Sequence, residues 1–162
     1  MILTQQSALA IDTASDGGAE EAVVIETRFG AFEFTALNRI SMPCGLHGFT
    51  GYSEFGLANL PEPAPETFKL LQSMDDPGLS FIVTQLDVDA GAIAEEDLRD
   101  GASSVGIAPE AAVFLLIVTL RPSENGTTAT VNLRAPIVLD LERRVARQVV
   151  LANNAYPIRR AL

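Results

Sequence analysis

The sequence is poor in the residues that carry most catalytic and metal-binding chemistry. It has one cysteine, Cys44, one histidine, His47, and no tryptophan. A single cysteine excludes an internal disulfide and every multi-cysteine metal site. A lone histidine leaves only one imidazole for a catalytic triad or a zinc site. We therefore expect no enzymatic activity, no cofactor and no bound metal.

Positive charge and long apolar runs are also scarce. The formal net charge is −10, and phosphate binding needs clustered cations, so direct binding to nucleic acid is not expected. The longest apolar run, residues 111–120, is about half of the roughly 20 residues that a membrane-spanning helix needs. Residues 1–18 lack the basic start and continuous apolar segment of a secretory signal. We expect a cytoplasmic protein that makes no contact with membranes.

The sequence is rich in short apolar stretches separated by turn residues. With 48% apolar and 20% charged residues over 162 positions, the composition is typical of one globular domain. Pro77-Gly78 predicts a tight turn between two strands, giving a hairpin over residues 68–86. Both strands are apolar on both faces, which is typical of central strands.

Similar stretches predict the remaining elements. Further strands are expected at 23–27, 31–35, 39–42, 113–120, 128–133, 137–141 and 145–151, with a loop at 121–126. Two short α-helices are predicted, one over 94–100 that ends at Gly101 and one over 103–107. The spacing indicates a mainly β, single-domain, mostly antiparallel fold, a barrel-like curled sheet of eight or nine strands. Residues 1–22 are predicted to form a flexible N-terminal arm or an added edge strand before a domain at 23–162.

The charges are unevenly distributed along the chain. Residues 87–124 hold eight acids against two arginines, whereas residues 134–162 hold six arginines against two acids. The acidic segment is typical of a solvated face, and it also fits a docking surface for a basic protein.

Candidate partner-binding residues lie in that segment and at the central turn. Turn stability accounts for Asp75 and Asp76 but not for two polar residues inside an apolar strand, so we expect a buried hydrogen-bond network or a contact there. The predicted set is Gln72, Ser73, Asp75, Asp76, Glu95, Glu96, Asp97 and Asp100.

Two other groups of residues leave alternatives open. Cys44 and His47 share one loop, so a small-ligand-binding or hydrolytic β-barrel is an alternative if they lie within hydrogen-bond reach and a third group orients the imidazole. Arg143, Arg144 and Arg147 form the basic cluster, which an RNA-binding barrel would use. Internal pairing with the acidic segment would also account for these arginines.

A series of sequence blocks resembles the FliW family of bacterial flagellar assembly factors. The resemblance spans roughly residues 24–162, whereas residues 1–22 have no counterpart, and His47 and Thr50 replace a more usual proline and acid. The blocks are TRFG at 27–30, GLHGF at 45–49, LQSMDDP at 71–77, EEDL at 95–98, IVT at 117–119, NLRAPIV at 132–138, QVVLAN at 148–153 and YPIR at 156–159.

The resemblance implies a small β-barrel-like fold with short helices and no enzymatic activity. It also implies two protein partners, newly made flagellin and the translational repressor CsrA, the carbon storage regulator. In the family, free FliW holds CsrA off flagellin messenger RNA and flagellin competes for FliW, which couples flagellin synthesis to secretion. We expect the free protein to be a monomer, and its acidic character suits a basic, RNA-binding partner.

Overall fold

A computed structural model of the protein describes residues 21–162. The predicted N-terminal arm lies outside the described residues, apart from Glu21 and Ala22 directly before the first strand. Within the described part of the chain, no helix is both long enough and apolar enough to cross a bilayer.

The described residues form eleven β-strands and one α-helix. The helix, α1, is Glu95–Ser104, and short 3-10 turns precede and follow it at Val88–Ala90 and Pro109–Ala111. The strands are β1 Val23–Thr27, β2 Gly30–Phe34, β3 Arg39–Ser41, β4 Glu54–Asn59, β5 Phe68–Ser73, β6 Ser80–Gln85, β7 Ala112–Ser123, β8 Gly126–Val131, β9 Ile137–Asp140, β10 Val145–Gln148 and β11 Arg160–Ala161.

Strands β3 to β11 form one curled sheet. Its order is β11-β8-β7-β6-β5-β4-β3-β10-β9, and β9 also pairs with β7, so seven strands close a ring. Every pairing is antiparallel except that of β3 with β10, which meet in parallel at Ser41 and Val145. The predicted central hairpin is β5–β6, in the middle of the sheet order. The mainly β, mostly antiparallel prediction is confirmed.

Strand β7 is long enough to pair with two strands in succession along one edge. Its first residues pair with β9, and its last residues, from Val118 to Ser123, pair with β8. The chain between β8 and β9 is shaped by Asn132, whose Oδ1 accepts hydrogen bonds from the backbone N–H groups of Arg134 (2.9 Å) and Ala135 (3.1 Å). Because this side chain satisfies two amides locally, the chain can leave the ladder and rejoin it at β9.

Alternating side chains of the ring strands build two apolar clusters, one on each face. Val83, Leu115 and Leu139 belong to the inner cluster, inside the ring. Residues next to them in sequence, such as Ile82 and Phe114, belong to the outer cluster, which α1 covers together with the chain end. Two covered faces explain why these strands lack a polar side.

The predicted pair of short helices is wrong in detail. Helix α1 passes through Gly101 and ends at Ser104, and residues 103–107 form no second α-helix. Gly101 packs closely instead, because a Cβ there would lie 3.1 Å from Leu151 Cδ2. Gly106, two residues after the helix, has φ +79, and the N–H of Ile107 donates to the carbonyl of Ala102 at 3.0 Å, as in a Schellman motif.

The predicted loop at residues 121–126 is also wrong, since β7 continues to Ser123 and β8 begins at Gly126. Pro122 interrupted the sequence pattern, yet it pairs with Thr127. The β6–β7 ladder ends at the pair Ile82–Val118, so Pro122 lies beyond it, on an edge where its missing N–H costs no ladder hydrogen bond.

Candidate functional site

The polar pair in β5 organises the central turn. Gln72 and Ser73 are both fully buried. Gln72 Nε2 donates to the carbonyls of Ser73 (3.0 Å), Asp76 (3.1 Å) and Pro77 (3.3 Å). Gln72 Oε1 accepts a hydrogen bond of 2.5 Å from Ser80 Oγ. The expected buried network therefore exists, and Gln72 has no exposed surface with which to touch a partner.

Ser73 holds the other half of the turn. Its Oγ accepts hydrogen bonds from the N–H groups of Asp75 and Asp76, each at 3.1 Å. Asp76 Oδ1 in turn accepts from Gly78 N–H at 2.9 Å. Asp75 is exposed and Asp76 is half-buried, so of the predicted residues at this turn the two carboxylates are the ones that reach solvent.

The acids of α1 lie in its first turn and on its outer side. Glu95, Glu96 and Asp97 occupy the first turn, where the helix dipole favours negative charge. Glu95, Glu96 and Asp100 are exposed, whereas Leu98 is buried. The buried side holds α1 on the outer cluster, and the acids face away from it.

Asp97 differs from its neighbours because it anchors the chain end. Its Oδ2 accepts a hydrogen bond of 2.5 Å from the hydroxyl of Tyr156, and the same hydroxyl accepts one of 3.0 Å from the N–H of Ala94. The bond to Asp97 raises the pKa of Tyr156, and the bond from Ala94 opposes that shift. Asp97 is therefore engaged in a contact within the molecule, unlike the exposed acids beside it.

Cys44 and His47 lie in one exposed loop but are tied to β10 by different contacts. Cys44 Sγ accepts a hydrogen bond of 2.8 Å from Arg147 Nη1. The backbone N–H of His47 donates to Gln148 Oε1 at 2.8 Å. A Cys-His nucleophile needs the imidazole to take the thiol proton, and the thiol here faces a guanidinium that cannot serve as that base. The geometry gives no support to the hydrolytic alternative.

The basic cluster does not pair with the acidic segment 87–124, contrary to one interpretation of the sequence. Arg143 Nε lies 4.0 Å from Asp140 Oδ2. Arg144 Nη1 donates to the carbonyls of Ala36 (2.8 Å) and Leu37. Because the ring places β10 between β3 and β9, these arginines find partners there rather than at α1.

An apolar groove is a surface feature whose lining residues were not predicted from the sequence. It has a volume of about 730 Å³ and lies over the outer face of the sheet, where Phe68, Ile82 and Leu120 line it. The chain at residues 60–65 and the turn residue Phe29 form its border. The closely spaced prolines at 61, 63 and 65 were a signal, since they predict an extended, edge-like connection before the central hairpin.

The described residues contain no evident metal site. No group of three or more His, Cys, Asp or Glu side chains within residues 21–162 is positioned to hold a metal ion. The features that this part of the chain presents to other molecules are an acidic helix and an apolar groove, which suit protein binding.

Comparison with known proteins gives one consistent family. The sequence model described as FliW protein matches residues 23–162. A flagellar assembly factor FliW from Geotalea uraniireducens is 37% identical over 140 residues, covering 84% of this chain and 81% of that protein. The corresponding protein of Leptospira biflexa is 32% identical over 145 residues, covering 86% of this chain and 90% of that protein.

A solved structure agrees with the sequence comparison. The crystal structure of a flagellar assembly factor FliW superposes with a TM-score of 0.67 at 25% sequence identity, and the match covers 86% of this chain and 96% of that chain. The sequence resemblance is thus confirmed by relatives and by fold, and the chain belongs to the FliW family.

Proposed function

We propose that the protein is a cytoplasmic, non-enzymatic flagellar assembly factor that binds flagellin and antagonises CsrA. The match of residues 23–162 to the FliW family carries this proposal. The relatives are named flagellar assembly factors, and the two partners are those that the family resemblance implies. The free protein is proposed to be a monomer, and the described surface offers it two chemically different places to bind.

The acidic side of α1 is proposed to bind CsrA. Glu95, Glu96 and Asp100 are exposed, and α1 has no basic residue in its last turn. A basic, RNA-binding protein is attracted to such a surface, and exposed charges act mainly on the association rate. Asp75 and Asp76 at the central turn extend the proposed set, while the buried Gln72 and Ser73 hold that turn in shape.

The apolar groove is proposed to bind flagellin. Its lining side chains Phe68, Ile82 and Leu120 present apolar surface, and an amphipathic helix binds such a groove through its apolar face. Leu120 is 44% exposed, which gives an incoming helix apolar area to bury.

A competition experiment tests the proposal as a whole. Purified full-length protein is immobilised and loaded with CsrA of the same cell, and flagellin is then added at increasing concentration. We expect both proteins to be retained separately at micromolar concentration and flagellin to release CsrA. Retention of neither protein would refute the proposed function, whereas simultaneous retention of both would refute only the competition.

Charge reversal on α1 tests the proposed CsrA surface. The variant Glu95→Lys/Glu96→Lys should slow CsrA association by roughly tenfold at low salt and reduce its salt dependence, because steering by the acidic surface is lost. Glu26→Lys/Glu33→Lys is the matched control, since it makes the same charge change at exposed positions of the β1–β2 hairpin. Equal effects of the two variants would show that net charge alone matters.

A further inference from the structure

Helix α1 covers only part of the outer face of the sheet, and the groove lies on another part of that face. Leu98 and Ala102 of α1 and the groove residues Ile82 and Phe68 belong to, or pack against, the same outer cluster. Helix α1 covers one region of that cluster, and in residues 21–162 nothing covers the region at Phe68 and Leu120. Monomeric proteins rarely leave a large continuous apolar surface unused, so this region calls for an occupant.

The chain itself contains a segment with the required chemistry. Residues 1–11, MILTQQSALAI, carry no charged side chain, and five of them are Met, Ile or Leu. Acids appear only afterwards, at Asp12, Asp16, Glu20 and Glu21. An uncharged apolar segment in a protein with 20% charged residues gains free energy by burying its side chains.

The connection is long enough for this segment to reach the groove. Residues 12–22 separate it from β1, and eleven extended residues span up to about 36 Å. Strand β1 leads from Val23 to the turn at Phe29, which lines the groove, and its own length is only about 13 Å. Arg28, whose guanidinium lies 4.9 Å from the Phe29 ring centroid, offers a cation beside the groove to the acids that follow residue 11.

We propose that residues 1–11 of the chain bind in this groove and cover the apolar surface at Phe68, Ile82 and Leu120. The family match begins at residue 23, so this self-contact is a property of the present chain rather than of the shared domain. If the groove is the flagellin site, a point that rests on the proposed function, the segment competes with flagellin for it. The self-contact itself does not depend on flagellin.

Paramagnetic relaxation in the isolated full chain tests the contact directly. A nitroxide is attached at residue 7 in the Ser7→Cys/Cys44→Ser variant, which has a single thiol. We expect strong broadening of the amide signals of residues 60–68 and 120–129, and none at residues 142–144 in the β9–β10 turn. The matched control adds Ile2→Asp, Leu3→Asp and Leu9→Asp, which should abolish the broadening and leave chemical shifts of the inner cluster unchanged.

The alternative occupants give different results. Broadening equally strong at residues 142–144, or absent from the groove, would overturn the proposal and leave the groove to a partner. Broadening that appears only when isotope-labelled protein is mixed with a separate spin-labelled copy would assign the groove to a second molecule and also overturn it. The relaxation experiment contains no flagellin, so a negative result in it does not contradict the proposed function. A negative flagellin pull-down, in turn, does not contradict the contact between residues 1–11 and the groove.

Discussion

At the scale of single residues, Gln72 is the clearest case of a polar side chain that the fold requires. Its amide joins three backbone carbonyls and the Ser80 hydroxyl while being fully buried. A buried carbonyl without a partner costs about 1–3 kcal/mol, more than the roughly 1 kcal/mol that an ordinary hydrogen bond contributes. The sequence indicated that Gln72 and Ser73 needed an explanation, but their partners at residues 76, 77 and 80 depend on the turn geometry, which no periodicity reveals.

Replacing Gln72 by methionine tests this role. Gln72→Met keeps the length of the side chain but removes the donor to the buried carbonyl of Ser73 and the acceptor of the Ser80 hydroxyl, so it should lower the free energy of unfolding by about 2–4 kcal/mol. Urea unfolding measures the change, and the slope of the unfolding free energy against urea concentration should stay the same. Ser80→Ala, which removes one half-buried donor, should cost only about 1 kcal/mol. A Gln72→Met protein as stable as the wild type would contradict the structural role.

At the scale of elements, the β1–β2 hairpin is attached to the main sheet by a glycine contact. The hairpin forms its own two-stranded sheet, and its buried Phe34 lies over Gly56 of β4. A Cβ at Gly56 would lie 2.3 Å from Phe34 Cδ1. Sequence predicted the hairpin correctly, because its turn and alternation are local, but the contact between residues 34 and 56 is a matter of tertiary packing.

Gly56→Ala should therefore loosen the hairpin. Displacing the Phe34 ring should cost about 1–3 kcal/mol, and hydrogen exchange should become faster in β1 and β2 than in β5 and β6. Gly51→Ala is the control, since a Cβ at Gly51 meets no atom within 4 Å and its φ is not positive. Uniform acceleration throughout the sheet would show that Gly56 supports the whole fold rather than the hairpin.

The chain end is a second such element, and its attachment to α1 through the Tyr156 side chain depends on pH. The hydrogen bond to Asp97 raises the pKa of Tyr156, so the folded state holds that proton more tightly than the unfolded state. The stabilisation is complete below the unfolded pKa of about 10 and is lost as pH rises through the folded pKa.

The stability difference between wild type and Tyr156→Phe should accordingly shrink as the pH rises above about 10. Urea unfolding at a series of pH values measures it. Tyr52→Phe is the control, because the Tyr52 hydroxyl is not part of the contact with Asp97 and Ala94. A difference that stays constant across this range would mean that the bond to Asp97 does not hold the chain end in solution.

At the scale of the whole molecule, the closure of the strands into a ring could not be predicted from the sequence. The apolar strands and their antiparallel neighbours follow from local patterns, but the pairing of β7 with β9 and the single parallel pair of β3 with β10 join distant segments. The two proposed binding surfaces differ in the same way. Acids on α1 were predictable from spacing, whereas the groove required knowing which face α1 leaves uncovered.

Closure also makes the two apolar clusters interdependent. Strands β6, β7 and β9 send alternate side chains into each cluster, as Val138 and Leu139 do in β9. Loss of packing inside the ring should therefore release the outer face as well, and the domain should unfold in one cooperative transition. The two tyrosines are suited to test this, because Tyr52 packs against the inner cluster and Tyr156 against the outer one.

Leu139→Ala, which opens a cavity at a fully buried inner position, should lower the free energy of unfolding by about 2–5 kcal/mol. Tyrosine fluorescence is followed during urea unfolding in two backgrounds, Tyr156→Phe to report the inner cluster and Tyr52→Phe to report the outer one. The midpoint should fall by the same amount in both, relative to each background without the leucine change. Val150→Ala, at a position 55% exposed, should change either midpoint little. A shift confined to the Tyr52 signal would mean that the clusters unfold separately and that ring closure does not couple them.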